Sequence, residues 1–310
     1  MIATVTLNPS LDEWIELPVL RLGVLNRASA LRRYPGGKGI NVSRVIHELG
    51  GATTAYALTG GDDGAILQRL LDEEGIRCAF VPVRGLTRNN YKISTRRPRA
   101  LTEINTAGPQ VSSTSLHALS QRLLRSRPRC VVLSGSLPPG AAPTIYARWI
   151  RALRRAGIPS ALDATGDALR HGLSVRPWFI KPNRQEAEEV LRHRVRGLRD
   201  AIHAAMALLA SGPSLVILSL GADGALLATS RPRGVWVARP PRVAASSAVG
   251  AGDSLVGGFL TGWVRGQPLT EAFRLGVACG TATAMTPGTA LCRRADVRRL
   301  LSRITIRRVA

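Results

Sequence analysis

The sequence predicts a doubly wound α/β fold, a mostly parallel sheet flanked by helices on both faces, with a small β-sheet lid beside it. Three observations carry this. Short apolar, β-branched runs alternate with segments of helical period. Two glycine-rich turns each open a helix instead of closing a hairpin. Two stretches, about 12–34 and 88–105, break the alternation with strand-like sequence of their own. At 310 residues the chain has length for one large domain with a sizeable core. The expectation is therefore a single domain over 1–310, its lid formed by the two irregular stretches.

Taken in order, the clearest strands are 2–7, 129–135, 159–163, 178–181 and 215–220, each a short apolar or β-branched run. Helical period marks segments near 114–126, 143–155, 184–192 and 199–210, several opened by Ser, Pro or Asn and closed by Gly. Within the second irregular stretch, Tyr91-Lys92-Ile93-Ser94-Thr95 and Ala100-Leu101-Thr102-Glu103-Ile104-Asn105 flank an Arg/Pro turn as the arms of a hairpin. Two readings suit these strands: a lid over a site, or an edge extension of the main sheet.

Hydrophobic residues make up 45% of the chain and charged residues 20%, which excludes disordered and fibrous classes. The formal charge of +23 raises nucleic acid or an acidic membrane surface as a partner. Against nucleic acid, the basic residues are spread along the chain and aromatics are only 4%, leaving few stacking rings among them. Lys38, Lys92 and Lys181 are the only lysines among 43 basic residues. A compact ammonium retained in an arginine-dominated sequence marks a position where the planar guanidinium does not substitute. Cys78, Cys130, Cys279 and Cys292 are scattered, without the spacing of a zinc site, and read as buried free thiols. The N-terminus has no signal-peptide pattern and no apolar run is long enough to span a membrane, so a cytoplasmic protein is expected.

Val249-Gly250-Ala251-Gly252-Asp253-Ser254 precedes Leu255, Val256, Phe259, Leu260 and Trp263, one face of a helix. A glycine-rich turn thus delivers Asp253 to a helix N-terminus, where backbone amides and the helix dipole favour an anion. A carboxylate there can accept the proton of an attacking hydroxyl while the amides of Gly250, Ala251 and Gly252 stabilise charge on a transferred phosphoryl group. The same six residues also suit a plain loop in which Asp253 only caps the helix. Pro35-Gly36-Gly37-Lys38-Gly39-Ile40-Asn41-Val42 opens a second helix, with Val42, Val45, Ile46 and Leu49 on one face. It is not a Walker A loop, because Gly39 stands where that motif requires Ser or Thr. Lys38 and Asn41 offer donors to hydroxyl or phosphate oxygens, though a plain helix start also fits.

With these motifs in place the chain resembles the ribokinase-like (PfkB) sugar kinases, in the branch of the phosphofructokinases and tagatose-6-phosphate kinases. The likeness runs nearly end to end: Thr6 to Asp12, Gly36 to Asn41, Thr87-Arg88, Thr102 to Asn105, Ser134 to Gly140, Lys181-Pro182-Asn183, Ser219-Leu220-Gly221 and Val249 to Ser254, in the family's order. The resemblance implies ATP-dependent phosphorylation of a phosphorylated ketohexose, with Asp253 as general base. Gly-Gly-Lys-Gly and Thr-Glu-Ile-Asn favour fructose 1-phosphate, converted to fructose 1,6-bisphosphate; fructose 6-phosphate and tagatose 6-phosphate are the alternatives. A non-catalytic, basic nucleic-acid-binding protein on a kinase fold is the rival from another class.

Residue by residue, the resemblance implies that Asp12, Gly37 and Asn41 hold sugar hydroxyls and that Arg88, Ser136 and Lys38 contact the phosphate already on the sugar. Lys181 and Asn183 would lie near the ATP phosphates, with Ser219, Gly221 and Gly224 lining the nucleotide groove. Glu186 would organise Mg2+ through water, and backbone carbonyls of Ser247, Val249, Thr283, Thr286 and Gly288 would bind K+. A homodimer through the lid is also implied. The chain departs from the pattern at Val24, where a charged residue is frequent, and at Ala290, where an arginine is common.

Overall fold

A computed structural model describes residues 1–310. The first half of the chain runs β1 (Ile2–Thr6), β2 (Ser10–Leu17), β3 (Ala30–Gly36), α1 (Lys38–Glu48), β4 (Thr53–Thr59), α2 (Gly61–Glu73), β5 (Val81–Pro82), β6 (Arg88–Arg96), β7 (Arg99–Asn105), α3 (Ser113–Arg125), β8 (Cys130–Ser134) and α4 (Ile145–Arg155). The second half runs β9 (Ser160–Asp163), α5 (Gly166–Leu173), β10 (Phe179–Ile180), α6 (Arg184–Leu191), α7 (Leu198–Ala210), β11 (Leu215–Ser219), β12 (Ala225–Ser230), β13 (Arg233–Arg239), α8 (Ala251–Val264), α9 (Leu269–Met285), α10 (Arg294–Leu301) and β14 (Thr305–Arg308).

Ten strands form one sheet in the order β14-β13-β12-β11-β10-β9-β8-β1-β4-β5. Pairing is parallel from β5 to β11 and antiparallel through the β12–β14 edge. Side chains alternate across it, as the period of two requires. Val131 and Leu133 enter a core shared with α3, α4, α5 and α7, whereas Cys130 and Val132 enter one shared with α1, α8, α9 and α10. Burial on both faces explains why these strands read as continuous apolar runs. Helix α8 is buried from Asp253 through Gly262. It crosses α9 so closely that a Cβ at Gly258 would lie 2.9 Å from Gly276 Cα.

The chain fills the sheet from β1 through β4 to β5 in one direction and from β8 to β11 in the other. The order therefore reverses between β1 and β8. In open α/β sheets ligands bind at such a switch point, outside the carboxyl ends of the strands. Those ends here lead to Asn8, Gly135, Asp163, Lys181 and Ser219.

The irregular stretches form a sheet of their own, ordered β3-β2-β6-β7, and pair with no strand of the large sheet. The edge-extension reading is thereby replaced. The hairpin falls where the sequence places it, but the first stretch begins two residues before Asp12 and ends two after Tyr34, because pairing continues to Ser10 and Gly36. No helix is long and apolar enough to cross a membrane.

Candidate active site

Two helix N-termini converge above the switch point. Gly250 caps α8 in the left-handed region, φ +77°, which bends the loop so that Asp253 enters the first turn. Asn41, in the first turn of α1, donates from Nδ2 to Asp253 Oδ2 at 2.8 Å. Asp253 is itself buried. Of the three amides expected to form an anion site, that of Ala251 points to the Ala248 carbonyl at 3.3 Å. Lys181 completes this end, since a Cβ on Gly252 would lie 3.3 Å from its Nζ.

Asp163, the last residue of β9, sits between both lysines, its Oδ1 3.1 Å from Lys38 Nζ and 3.4 Å from Lys181 Nζ. Lys38 also faces Glu186 Oε1 at 3.7 Å. These charges set one another's protonation. Burial pushes the Asp163 carboxyl up, but Lys181 and Lys38 outweigh it and hold the group below its ordinary value. Burial alone would lower Lys38; Asp163, Asp253 and Glu186 raise it above the ordinary range. Asp253 is pushed up to about 6, first by burial and then by Asp163, with Lys38, the Asn41 hydrogen bond and Lys181 opposing. A carboxylate poised near neutrality is suited to taking a proton.

Glu186 and Asn183 form a capping box on α6, each side chain accepting from the other's backbone amide at 2.8 Å. One Glu186 oxygen is therefore committed to the helix start while the other faces Lys38. Asp163 Oδ2 is buried with no hydrogen-bond partner. No three carboxylate, imidazole or thiol side chains converge as a metal cage. A hard cation held by one or two carboxylates and water fits this donor set.

On the small-sheet side, Asp12 Oδ1 accepts from Ser10 Oγ at 2.9 Å and Asn90 Nδ2 at 3.2 Å. A Cβ at Gly36 would lie 2.4 Å from Asp12 Oδ1, so the loop leading to Gly37, Lys38 and Asn41 runs against this carboxylate. Arg88 donates to Asn90 Oδ1 at 3.1 Å and to the Asn8 carbonyl at 3.2 Å. Asn8 donates in turn to Ser136 Oγ at 3.3 Å. Asp12, Arg88 and Ser136 are thus joined, through Asn90 and Asn8, in one connected network at the carboxyl end of β1, whereas Asn41 and Lys38 bond to Asp253 and Asp163 instead.

Ser219 bridges to Asn183 at the end of β11. Gly221 opens a short 3-10 turn, and Gly224 closes it. The glycine at 224 has a packing explanation, since a Cβ there would lie 2.1 Å from the Ala238 carbonyl oxygen. Of the residues expected to bind K+, Ser247 and Thr283 come close together, with Ser247 N 3.3 Å from the carbonyl of Ala284, the neighbour of Thr283. The Thr283 carbonyl, however, accepts both the amide and the hydroxyl of Thr286, at 3.0 and 2.7 Å, which occupies its lone pairs. Val249 donates to Ser247 Oγ at 3.2 Å, and Gly288 lies beyond, against Trp14. A cavity of about 420 Å³ opens between this segment and the small sheet, lined by Trp14, Glu16, Arg96, Arg99, Ser246 and Gly288.

Five residues of these networks escaped the sequence: Asp163, Asn8, Ser10, Asn90 and Lys92. Asp163 left one trace, an isolated carboxylate closing a predicted strand. Lys92 left another, as one of three lysines, and it is buried between Asp12 and Glu103.

The model of the pfkB family carbohydrate kinases matches residues 5–296. The 1-phosphofructokinase of Bacillus subtilis is 39% identical over 92% of this chain and 93% of its own. The ATP-dependent 6-phosphofructokinase isozyme 2 of Mycobacterium tuberculosis is 36% identical over 96% of this chain and 88% of its own. Among solved structures, phosphofructokinase-2 of Escherichia coli in complex with potassium superposes with a TM-score of 0.92 at 32% identity, over 97% of this chain and 98% of that one. A tetrameric inhibited form of the same protein gives 0.91, at 32% identity and the same coverage.

Proposed function

We propose, for a chain that belongs to the pfkB family of carbohydrate kinases, that it transfers the γ-phosphoryl group of ATP to fructose 1-phosphate and yields fructose 1,6-bisphosphate. The observation that carries the reading is the meeting of Asp253 and Asn41 at two helix N-termini, beside a lysine pair and a separate arginine-centred network. Two anion-favouring regions suit a reaction whose substrates both carry phosphate.

Asp253 accepts the proton of the attacking hydroxyl, and Asn41 fixes the direction of its Oδ2. The amides of Gly250 and Gly252, with Lys38 and Lys181, stabilise charge on the transferred phosphoryl oxygens. Arg88 and Ser136, joined through Asn8, hold the phosphate already on the sugar, and Asp12 takes ring hydroxyls. Asn183, Ser219 and Gly221 flank the nucleotide. Glu186 and the free oxygen of Asp163 would hold magnesium, which would supply positive charge to the phosphates of ATP. A monovalent cation would use carbonyls of Ser247, Val249, Thr286 and Gly288, since Thr283 is already engaged. The small sheet serves as the lid. Its outer face carries Leu31, Tyr91 and Ile104, 57%, 36% and 51% exposed, and this face joins two copies as a homodimer.

The test is ATP turnover with magnesium and potassium against fructose 1-phosphate, fructose 6-phosphate, tagatose 6-phosphate, fructose and ribose. The highest kcat/KM is expected for fructose 1-phosphate. Higher turnover of either other hexose phosphate reassigns the substrate. Turnover of unphosphorylated sugars alone removes the phosphate roles of Arg88 and Ser136.

A further inference from the structure

Lys92 is the lysine that the site leaves without a task. It is buried, 5% exposed, on the middle of β6. A buried ammonium demands counter-charge. Its Nζ lies 3.4 Å from Asp12 Oδ2 and 3.6 Å from Glu103 Oε2. The register accounts for the meeting. Lys92 stands opposite Glu103 on β7, and Asn90, two residues earlier, stands opposite Asp12 on β2. Residues two apart share a face, so Arg88, Asn90 and Lys92 form one row, with Asp12 and Glu103 beside it. Four residues of strand set Arg88 and Lys92 about 13 Å apart along the backbone. A cation thus marks each end of the row, with the polar groups of Asn90 and Asp12 between.

The two oxygens of Asp12 differ. Oδ1 already accepts from Ser10 and Asn90, whereas Oδ2 faces only the ammonium. Both Lys92 distances exceed the roughly 2.7–2.9 Å of a charge-assisted hydrogen bond. Neither carboxylate has closed on the ammonium, which keeps three donors to direct. A donor and an acceptor held side by side in this way match two neighbouring hydroxyls of a sugar ring.

We propose that Lys92 is a specificity-determining residue for the sugar: its ammonium donates to one ring hydroxyl while Asp12 Oδ2 accepts from the adjacent one, with Glu103 holding the ammonium from the far side. The proposal rests on the substrate class given under Proposed function.

The experiment is Lys92→Met, which keeps the length of the side chain and removes its donors. Sugar-phosphate affinity is read from KM at saturating ATP and from ligand-induced thermal shift, using the parent sugar phosphate and its 3-deoxy and 4-deoxy analogues. Loss of a hydrogen bond from a charged donor predicts a weakening of about ten- to hundredfold for the parent sugar. The KM for ATP should stay within about threefold of wild type, and one deoxy analogue should bind both proteins equally, as expected when the missing hydroxyl is the partner of Lys92. An unchanged sugar KM overturns the assignment. So does the same loss for the parent and for every deoxy analogue, the signature of a merely structural tie. Should Lys92→Met not fold, Glu103→Gln on the exposed β7 strand carries the test, with a smaller rise in sugar KM and the same analogue dependence expected; no rise overturns the proposal. Failure of the substrate reading looks different, as wild-type inactivity on every fructose phosphate. The same cycle is then read on whichever hexose phosphate the wild type accepts.

Discussion

The floor of the site and the small sheet facing it are built on different terms. Asp163, Lys181 and Asp253 stand at element ends wedged between cores of 39 and 29 buried residues. The small sheet reaches the body of the protein through a six-residue cluster in which Leu11 meets Leu67 and Leu71 of α2, and every residue of β7 is exposed. The groups proposed for chemistry therefore stand at positions that cannot move without disturbing a core. Those proposed for recognition stand on a layer with few anchors, the kind of element that opens and closes at low cost.

The largest effect expected on the floor is that of Asp253→Asn. Loss of a general base should lower kcat by about 10²–10⁴-fold, with KM values changing far less. Near-normal turnover in this variant would remove Asp253 from the mechanism. Because the base must be ionised, wild-type kcat/KM should fall as pH drops through about 6, the value to which burial and Asp163 push this carboxyl. Stability should run the other way. A folded value above the unfolded one means that the folded chain holds this proton more tightly, so the ionised group weakens the fold progressively from about pH 4 to pH 6 and fully above it. Asp253→Asn should consequently melt higher than wild type at pH 8, with the advantage gone below pH 4; an equal or lower melting temperature at pH 8 would contradict that electrostatic account.

Asp163→Asn probes the same floor with the opposite sign. Asp163 is held below its ordinary value by Lys181 and Lys38, so its charge supports the fold. Removing it leaves two lysines facing each other without their shared partner, a loss on the order of 3–5 kcal/mol for a buried pair. The native carboxyl loses its contribution as pH falls through its depressed folded value, so the gap between wild type and variant should be largest near neutrality and shrink in acid. Denaturant unfolding at pH 7 and at about pH 2, well below the ordinary carboxylate value, measures it. A gap that does not narrow would mean that the lysines find other partners.

The same contrast governs what the amino-acid sequence discloses. Strands such as Cys130–Ser134 and Leu215–Ser219 are apolar on both faces, and the Gly250–Asp253 turn is contiguous, so both are visible in one local window. Asp163 is a single carboxylate at a strand end, and what makes it central is proximity to Lys38, 125 positions away. Asn90 reaches Asp12 across 78 positions, through a parallel pairing of β2 with β6 that no local pattern announces. The expected cation residues are hard to read for a different reason. Backbone carbonyls leave no side-chain mark, and the prior engagement of Thr283 by Thr286 is a matter of loop geometry.

The smallest effect, and the one that sharpens the contrast, belongs to the outer face of the small sheet. Leu31, Tyr91 and Ile104 project there away from Asp12, as their register against Ile15, Glu13 and Tyr91 requires. On an isolated chain, Ile104→Glu at a half-exposed strand position should alter stability by no more than about 0.5 kcal/mol. If this face joins two copies, the same substitution buries a charge at the contact and should shift the protein from dimer to monomer in light scattering at micromolar concentration. The melting temperature of wild type should then rise with protein concentration while that of the variant does not, because only the associating form is stabilised by mass action. Turnover on the floor should survive at saturating substrate, with the penalty appearing as a higher KM for the sugar phosphate, since the loosened element carries Asp12 and Arg88 but not Asp253. A variant that stays dimeric would place the interface elsewhere.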